Sequence, residues 1–134
     1  MQRDLVLRWL EQIRALVARL LRGDPGAQID MVDAQIDAAI GQLLGSNEAL
    51  FERLEPESAA AILGDPTRIY GYAQLIALRS AVLGARGGSP AAVAALNTRA
   101  LQLARVAIQK VDPVPPDWTE WAASIEDGLP PPPE

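Results

Sequence analysis

A row of arginines on one predicted helix is the feature of the sequence best suited to binding chemistry. Counted at 100° per residue, five positions lie within about 60° of one another. The members of this row are Arg68, Tyr72, Leu75, Arg79 and Arg86. A guanidinium binds a carboxylate through two parallel hydrogen bonds, and aromatic or aliphatic neighbours add apolar contact. The row therefore predicts a groove for an acidic peptide or a peptide C-terminus, with an ordinary solvated helix face as the alternative.

Three aspartates at helical spacing form a second charged feature. Asp30, Asp33 and Asp37 lie beside the apolar face of a predicted helix. Three carboxylates at this spacing could hold a hard cation, but no ligand loop accompanies them. We therefore expect no metal site, and we interpret the stripe as a solvent-facing surface or as a partner for arginines of the first helix. Exposed pairs of that kind contribute about 0 to 1 kcal/mol each.

Enzyme chemistry has little to work with in this sequence. The 134 residues include no cysteine and no histidine, which excludes disulfides, thiolate nucleophiles, Cys/His metal sites and imidazole proton transfer. We find no nucleophile paired with a base, no phosphate-binding loop and no cofactor motif. We predict a protein that is not an enzyme and has no cofactor, although two carboxylates buried in a pocket would still permit catalysis.

Charge is distributed unevenly along the chain. The net charge is −5, yet residues 1–22 carry +3 and residues 112–134 carry six carboxylates and no base. Nucleic acid binds to basic surfaces because its phosphates are negatively charged, so an acidic protein is not expected to bind it. No apolar run approaches the roughly 20 residues that span a bilayer, and no signal peptide opens the chain. We expect a cytoplasmic protein with no membrane or nucleic-acid partner, and eleven arginines against one lysine suggest a GC-rich bacterial genome.

Hydrophobic periodicity predicts an all-α fold, an antiparallel array of about four long helices with short connector helices. The long helices are expected over residues 3–22, 27–44, 65–86 and 90–111, and the connectors over 47–54 and 56–63. Asp65-Pro66 and Ser89-Pro90 are strong helix starts. A stripe of small residues should let the third long helix approach the fourth closely. This stripe consists of Ala73, Ala77, Ser80, Ala81 and Gly84.

We expect one domain over residues 1–112, followed by a loosely attached acidic tail over 113–134. In the tail, Trp118, Trp121 and Ile125 follow helical spacing, Asp117 and Glu120 resemble a capping box, and residues 129–134 form a proline-rich end. Tryptophans bury large areas, so we expect the segment to pack against a protein surface and not to remain in solvent. It either folds back over its own bundle, drawn partly by the first helix, or docks on a second subunit or partner.

The segment from Leu78 to Leu103, LRSAVLGARGGSPAAVAALNTRALQL, resembles one tetratricopeptide-type helical hairpin. With its opening RDLVLRWLEQIRALVARLL, the whole chain is similar to small bacterial helical proteins in which an N-terminal hairpin precedes such a repeat. That family carries no assigned activity. The resemblance implies a helical architecture and a tendency to bind peptides on the first helix of the hairpin. A single repeat cannot form the long groove of a tandem array.

Three functional hypotheses remain open at this stage. The first is a non-catalytic, tetratricopeptide-like module that binds a protein or peptide at the arginine row. The second is a structural homodimer whose first helix and tryptophan tail form the interface. The third is an enzyme of unrecognised type. A shallow exposed groove would favour the first, a dry symmetric patch the second, and a deep polar pocket the third.

Overall fold

The protein is all-α. The computed structural model describes residues 2–129, without the side chains of residues 2–7 and 46, and contains no strand in that range. Its helices are α1 (Gln2–Leu21), α2 (Ile29–Leu44), α3 (Glu48–Arg53), α4 (Pro56–Leu63), α5 (Pro66–Ala85), α6 (Pro90–Lys110) and α7 (Pro116–Gly128), with a 3₁₀ turn at Gly45–Asn47. The predicted array of four long helices with shorter ones is confirmed. The predicted proline-rich end lies outside the described residues, apart from Leu129.

Both predicted helix starts, Asp65-Pro66 and Ser89-Pro90, are helix N-termini in the structure. The Asp65 carboxylate accepts a hydrogen bond from the Thr67 amide at 2.9 Å, and the Ser89 hydroxyl accepts one from the Ala92 amide at 3.1 Å. In each case a proline follows at the first helical position, where its missing N–H leaves no intrahelical bond unmade. Gly87, at φ 81°, makes the turn between α5 and α6.

Helix α5 is the centre of the bundle, and α6 packs along one of its sides. The small-residue stripe faces α6, as the sequence predicts: the Ser80 hydroxyl donates to the carbonyl of Val93 at 3.0 Å, and Gly84 lies against the Val93 side chain. The short connection after α5 makes the two helices an antiparallel hairpin. Small side chains at this seam allow the close approach on which the core depends.

The α1–α2 hairpin covers another side of α5. Its core residues are Leu10, Ile13, Val17, Val32, Ile36, Ala39, Ile40, Leu43 and Leu44. Trp9 Nε1 donates to Gln35 Oε1 at 2.8 Å across the hairpin, and the Asp24 carboxylate fixes the turn by accepting from Arg19 Nε at 2.9 Å and from the Gly26 amide at 2.8 Å. The two helices meet α5 side by side, so the broad apolar arc of α1 is used within the chain.

Helices α3 and α4 belong to the core, and the expectation that they are mere connectors is wrong. Phe51 is buried and meets the Tyr72 ring edge-on, with centroids 6.1 Å apart. Arg99 of α6 donates to the carbonyls of Phe51 at 2.6 Å and Leu54 at 2.8 Å, which satisfies the end of α3. The pieces are short because turns interrupt them, yet their apolar side chains close one side of the bundle.

Candidate functional site

The arginine row does not form an open groove. Its apolar members are inside the protein: Tyr72 is 3% exposed and Leu75 is not exposed at all. Both belong to the continuous hydrophobic core. A peptide could reach neither the Tyr72 ring nor the Leu75 methyl groups without displacing another helix. The predicted groove, in which arginines orient the peptide and apolar residues add affinity, therefore does not exist.

The charged members of the row bind α2 and α3. Arg79 is paired with Asp37 of α2 and with Glu48 of α3 at 3.3 Å, while Glu52 lies 3.8 Å away. Arg86 is paired with Asp30 at 2.7 Å and Asp33 at 3.3 Å.

The remaining member, Arg68, donates to the carbonyl of Leu43 at 2.7 Å, at the end of α2. The residues predicted to bind a peptide, Arg68, Tyr72, Leu75, Arg79 and Arg86, therefore hold an internal helix–helix contact. The physical reason is that α2 presents to α5 the carboxylates that the groove was expected to take from a partner.

The same contacts correct the partner that the sequence predicted for the acidic stripe. Asp30 and Asp37 are exposed, as a solvent-facing stripe predicts, but the three aspartates pair with Arg79 and Arg86 rather than with arginines of the first helix. Burial lowers the pKa of Arg79, but its hydrogen bonds and proximity to Asp37 and Glu48 outweigh this and hold the pKa above the ordinary value. Within the described residues, no three carboxylates are arranged to hold a metal ion.

The tryptophan tail docks on its own bundle in this single chain. The Trp118 ring stacks on Tyr70 with centroids 4.3 Å apart and planes 14° from parallel. Trp121 meets the same Tyr70 edge-on at 5.6 Å, and Ile125 packs half-buried against the core. The sequence left open whether the tail docks on its own bundle or on a second subunit or partner, and in this structure it docks on its own bundle.

The tail helix differs from expectation in two details. It starts at Pro116, one residue before the predicted start, and its N-cap, Pro115, makes no side-chain capping bond, so Asp117 and Glu120 form no capping box. Its ion pair joins Glu126 to Arg105 of α6 at 2.7 Å rather than to α1. Because Trp118 and Ala122 are buried, α7 is an integral helix of the bundle and not a loosely attached tail.

Tyr70 is the residue on which α7 is anchored, and its hydroxyl titrates abnormally. Burial and, secondarily, the nearby Asp117 carboxylate raise the pKa of Tyr70 to about 12, against a smaller opposite effect of Arg14. Since Arg14 belongs to α1 and Asp117 to α7, both helices border this tyrosine. The Tyr70 ring is therefore close to one charged residue of each of these two helices.

The raised pKa of Tyr70 predicts a loss of stability at alkaline pH. The neutral phenol is favoured in the folded state, so its contribution is complete below pH 10 and disappears as the pH rises from 10.0 towards about 12. The shift corresponds to about 2–3 kcal/mol. Urea unfolding at pH values across this window should show the loss in the native protein. A Tyr70→Phe variant should lose less by about this amount, although Tyr72, whose pKa burial also raises, still titrates in it.

Gln74 is a buried amide without a hydrogen-bond partner. It lies one helical turn after Tyr70, on the same face of α5. Its side chain is 5% exposed, and no hydrogen bond joins it to any residue in the described part of the chain. Every fully enclosed side-chain nitrogen or oxygen in the described residues has a hydrogen-bond partner. Since the Gln74 amide has none, it must be in contact with solvent through a narrow opening. A donor and an acceptor are thus left free beside the aromatic cluster.

Two oppositely charged faces flank Tyr70 and Gln74. The outer face of α1 carries Arg8, Glu11 and Arg14, and Arg22 follows directly after this helix; the outer face of α7 carries Asp117, Glu120 and Asp127, and all seven side chains are exposed. Over residues 8–129, these side chains make no ion pair. We call the two faces, with Tyr70 and Gln74 at their junction, the α1/α7 surface.

A shallow groove lies between α4 and α6. Its volume is about 410 Å³, and its lining residues are Glu57, Gln102, Arg105, Val106, Gln109 and Lys110. All except Val106 are exposed side chains, so the groove has a solvated wall rather than an apolar floor. It offers a ligand few desolvated contacts.

Helices long and apolar enough to cross a bilayer are absent from the described part of the protein.

Sequence reasoning missed Gln74 and Tyr70. The run from Ile69 to Leu78 is apolar apart from Gln74, which is a detectable signal because buried amides are usually hydrogen-bonded. Tyr70 carried no such signal. Its role depends on α7, which is 46 residues or more distant along the chain, returning to stack upon it.

Comparison with known protein families, with curated proteins and with solved structures gave no match for this chain.

Proposed function

We propose that this protein is a non-catalytic protein-binding module, built on a tetratricopeptide-like hairpin of α5 and α6, and that it binds its partner at the α1/α7 surface. The charges along the α2–α5 seam are neutralised within the chain, whereas those of the α1/α7 surface form no ion pair among the residues that the structure describes. Trp121, which is half-buried and rests edge-on against the buried Tyr70 ring, supplies an aromatic contact beside the charged faces. The Arg-rich composition supports a bacterial setting for this module.

The observation that carries this proposal is the unpaired amide of Gln74. A nearly buried amide that binds no group of the described chain adds little to the stability of the fold, so packing alone gives no reason for it. A donor and an acceptor on one rigid side chain match the peptide groups of a bound segment. Such a residue contributes to binding at the expense of stability, as is common for binding residues.

Replacing Gln74 with leucine should separate stability from binding. Gln74→Leu replaces an amide that binds only solvent with an apolar side chain of similar volume at a site 5% exposed, so the free energy of unfolding should rise by about 1 kcal/mol. Capture of partner proteins by the immobilised protein should fall at the same time, because the bound segment loses two hydrogen bonds. Urea unfolding measures the first effect, and quantitative pull-down from a bacterial lysate measures the second.

Gln35→Leu is the matched control for this substitution. The Gln35 amide accepts the hydrogen bond of Trp9, so this variant should lose stability and leave capture unchanged. A Gln74→Leu protein that is less stable than the native one would show that its amide is satisfied in solution. One that captures every partner at the native level would remove Gln74 from the binding site and contradict the proposal.

A further inference from the structure

The α1/α7 surface has the arrangement of an interface between two identical chains. A two-fold interface brings one surface patch against its own copy, so a basic strip beside an acidic strip is self-complementary. When the patch is turned by 180°, the basic face of α1 meets the acidic face of α7 on the other chain, and the reverse contact forms with it. We propose that the partner bound at this surface is a second copy of the chain. This inference rests on the function proposed above and names its partner.

Charge complementarity is the first observation in its favour. From residue 8 to the turn after α1, the exposed charges are Arg8, Arg14 and Arg22 against Glu11, while Asp24 neutralises Arg19 within the turn. On α7, Arg105 neutralises Glu126 and leaves Asp117, Glu120 and Asp127. Oppositely charged strips that are unpaired within one chain attract each other between chains.

The junction of the two strips provides contacts that charge alone does not. Trp121 is half-buried beside Tyr70, and the Gln74 amide is free one turn further along α5. Aromatic side chains at the centre of a patch, with charges at its rim, are the usual arrangement of a protein interface. In a two-fold dimer the half-buried Trp121 lies close to the axis, with Tyr70 and Gln74 beneath it.

The size of the surface predicts a weak dimer. The 20 residues of α1 extend about 30 Å and the 13 residues of α7 about 20 Å, each about 10 Å wide. Together they offer about 500 Å² per chain, or about 1,000 Å² for the pair, which is the lower limit of specific interfaces. The dimer should therefore form in a concentration-dependent way and weaken as salt screens the charges.

Charge reversal with mixing tests this inference directly. In Arg14→Glu and in Glu120→Arg, like charges meet twice across the two-fold axis, so each variant should dimerise at least about tenfold more weakly than the native chain. In an equimolar mixture, both contacts of the heterodimer are again between opposite charges, one native and one reversed. Sedimentation velocity at low salt should therefore show monomers for each variant alone and dimers for the mixture.

Arg53→Glu and Glu55→Arg are the matched controls, since these exposed residues lie on the α3–α4 side, away from Tyr70. Both should dimerise like the native chain. Far-ultraviolet circular dichroism and tryptophan emission of every variant should remain native, which excludes detachment of α7 as the cause. A native chain that stays monomeric at high micromolar concentration and low salt overturns the inference, and so does a mixture that fails to form heterodimers. If lysate partners are still captured through Gln74, the proposed function stands with a different partner.

Discussion

Trp118→Ala should lower the free energy of unfolding by about 3–5 kcal/mol, the largest effect expected of any single substitution in this chain. The indole is 7% exposed and stacked on Tyr70, so its removal leaves a cavity between α7 and α5 that neither helix can close. Stacking contributes about 0.5–1.5 kcal/mol beyond the buried area. Because small domains have only about 5–15 kcal/mol in total, the variant should be markedly less stable in urea.

Trp121→Ala is the control for this prediction. Trp121 contacts the same tyrosine but is only half-buried, so its loss should be clearly smaller. Limited proteolysis adds a local readout, because detachment and unwinding of α7 expose its segment 117–128 to cleavage. A Trp118→Ala protein within about 1 kcal/mol of the native stability, with this segment still protected, would show that α7 is not anchored by the stack.

Helix starts were predictable because their chemistry is local. Asp65 and Ser89 each cap the amide two or three residues ahead, and a proline follows each of them. Such signals need no knowledge of the rest of the fold. The start of α7 shows the limit of this reasoning, since Pro116 opens the helix and leaves the expected cap, Asp117, inside its first turn. Either residue satisfies the local rules, and packing of Trp118 decides between them.

The pairing of helices was not predictable from each helix alone. Periodicity places Arg79 and Arg86 on one face of α5 and Asp30 and Asp37 on one face of α2, but it does not show that these faces meet. The contacts join residues 42 and 56 positions apart. Both helices carry their charges seven residues apart, and α2 and α5 are antiparallel, so the first aspartate meets the last arginine. Matched spacing of opposite charges was thus a usable signal for this seam.

The candidate surface was half predictable. The basic first helix and the acidic tryptophan segment were recognisable as charged amphipathic elements from residues such as Arg14, Trp118 and Glu120. Their proximity depends on Tyr70, which is an unremarkable residue in the sequence until α7 returns to cover it. Long-range packing of this kind has no local signature. It determines that the arginine row is paired within the chain, while the charges of the α1/α7 surface remain available to a partner.

Arg79→Ala should lower the free energy of unfolding by about 2–3 kcal/mol, between the effects of breaking exposed and fully buried ion pairs. The guanidinium is 24% exposed and binds Asp37 and Glu48, with Glu52 close by. Without it, three carboxylates from two helices face one another across the seam, in addition to the lost hydrogen bonds. Urea unfolding measures the total loss, and its reduction at high salt measures the repulsive part, since salt screens it.

Arg86→Ala is the matched comparison, because it removes the same chemistry from a more exposed position on the same helix. Arg86 is 38% exposed and its main partner, Asp30, is 88% exposed, so solvent already screens the pair. The expected loss is about 0–1 kcal/mol. Equal losses in the two variants would mean that burial does not distinguish the two pairs. A negligible loss in both would mean that α2 is held against α5 by its apolar residues alone, with the charges serving only to choose which faces meet.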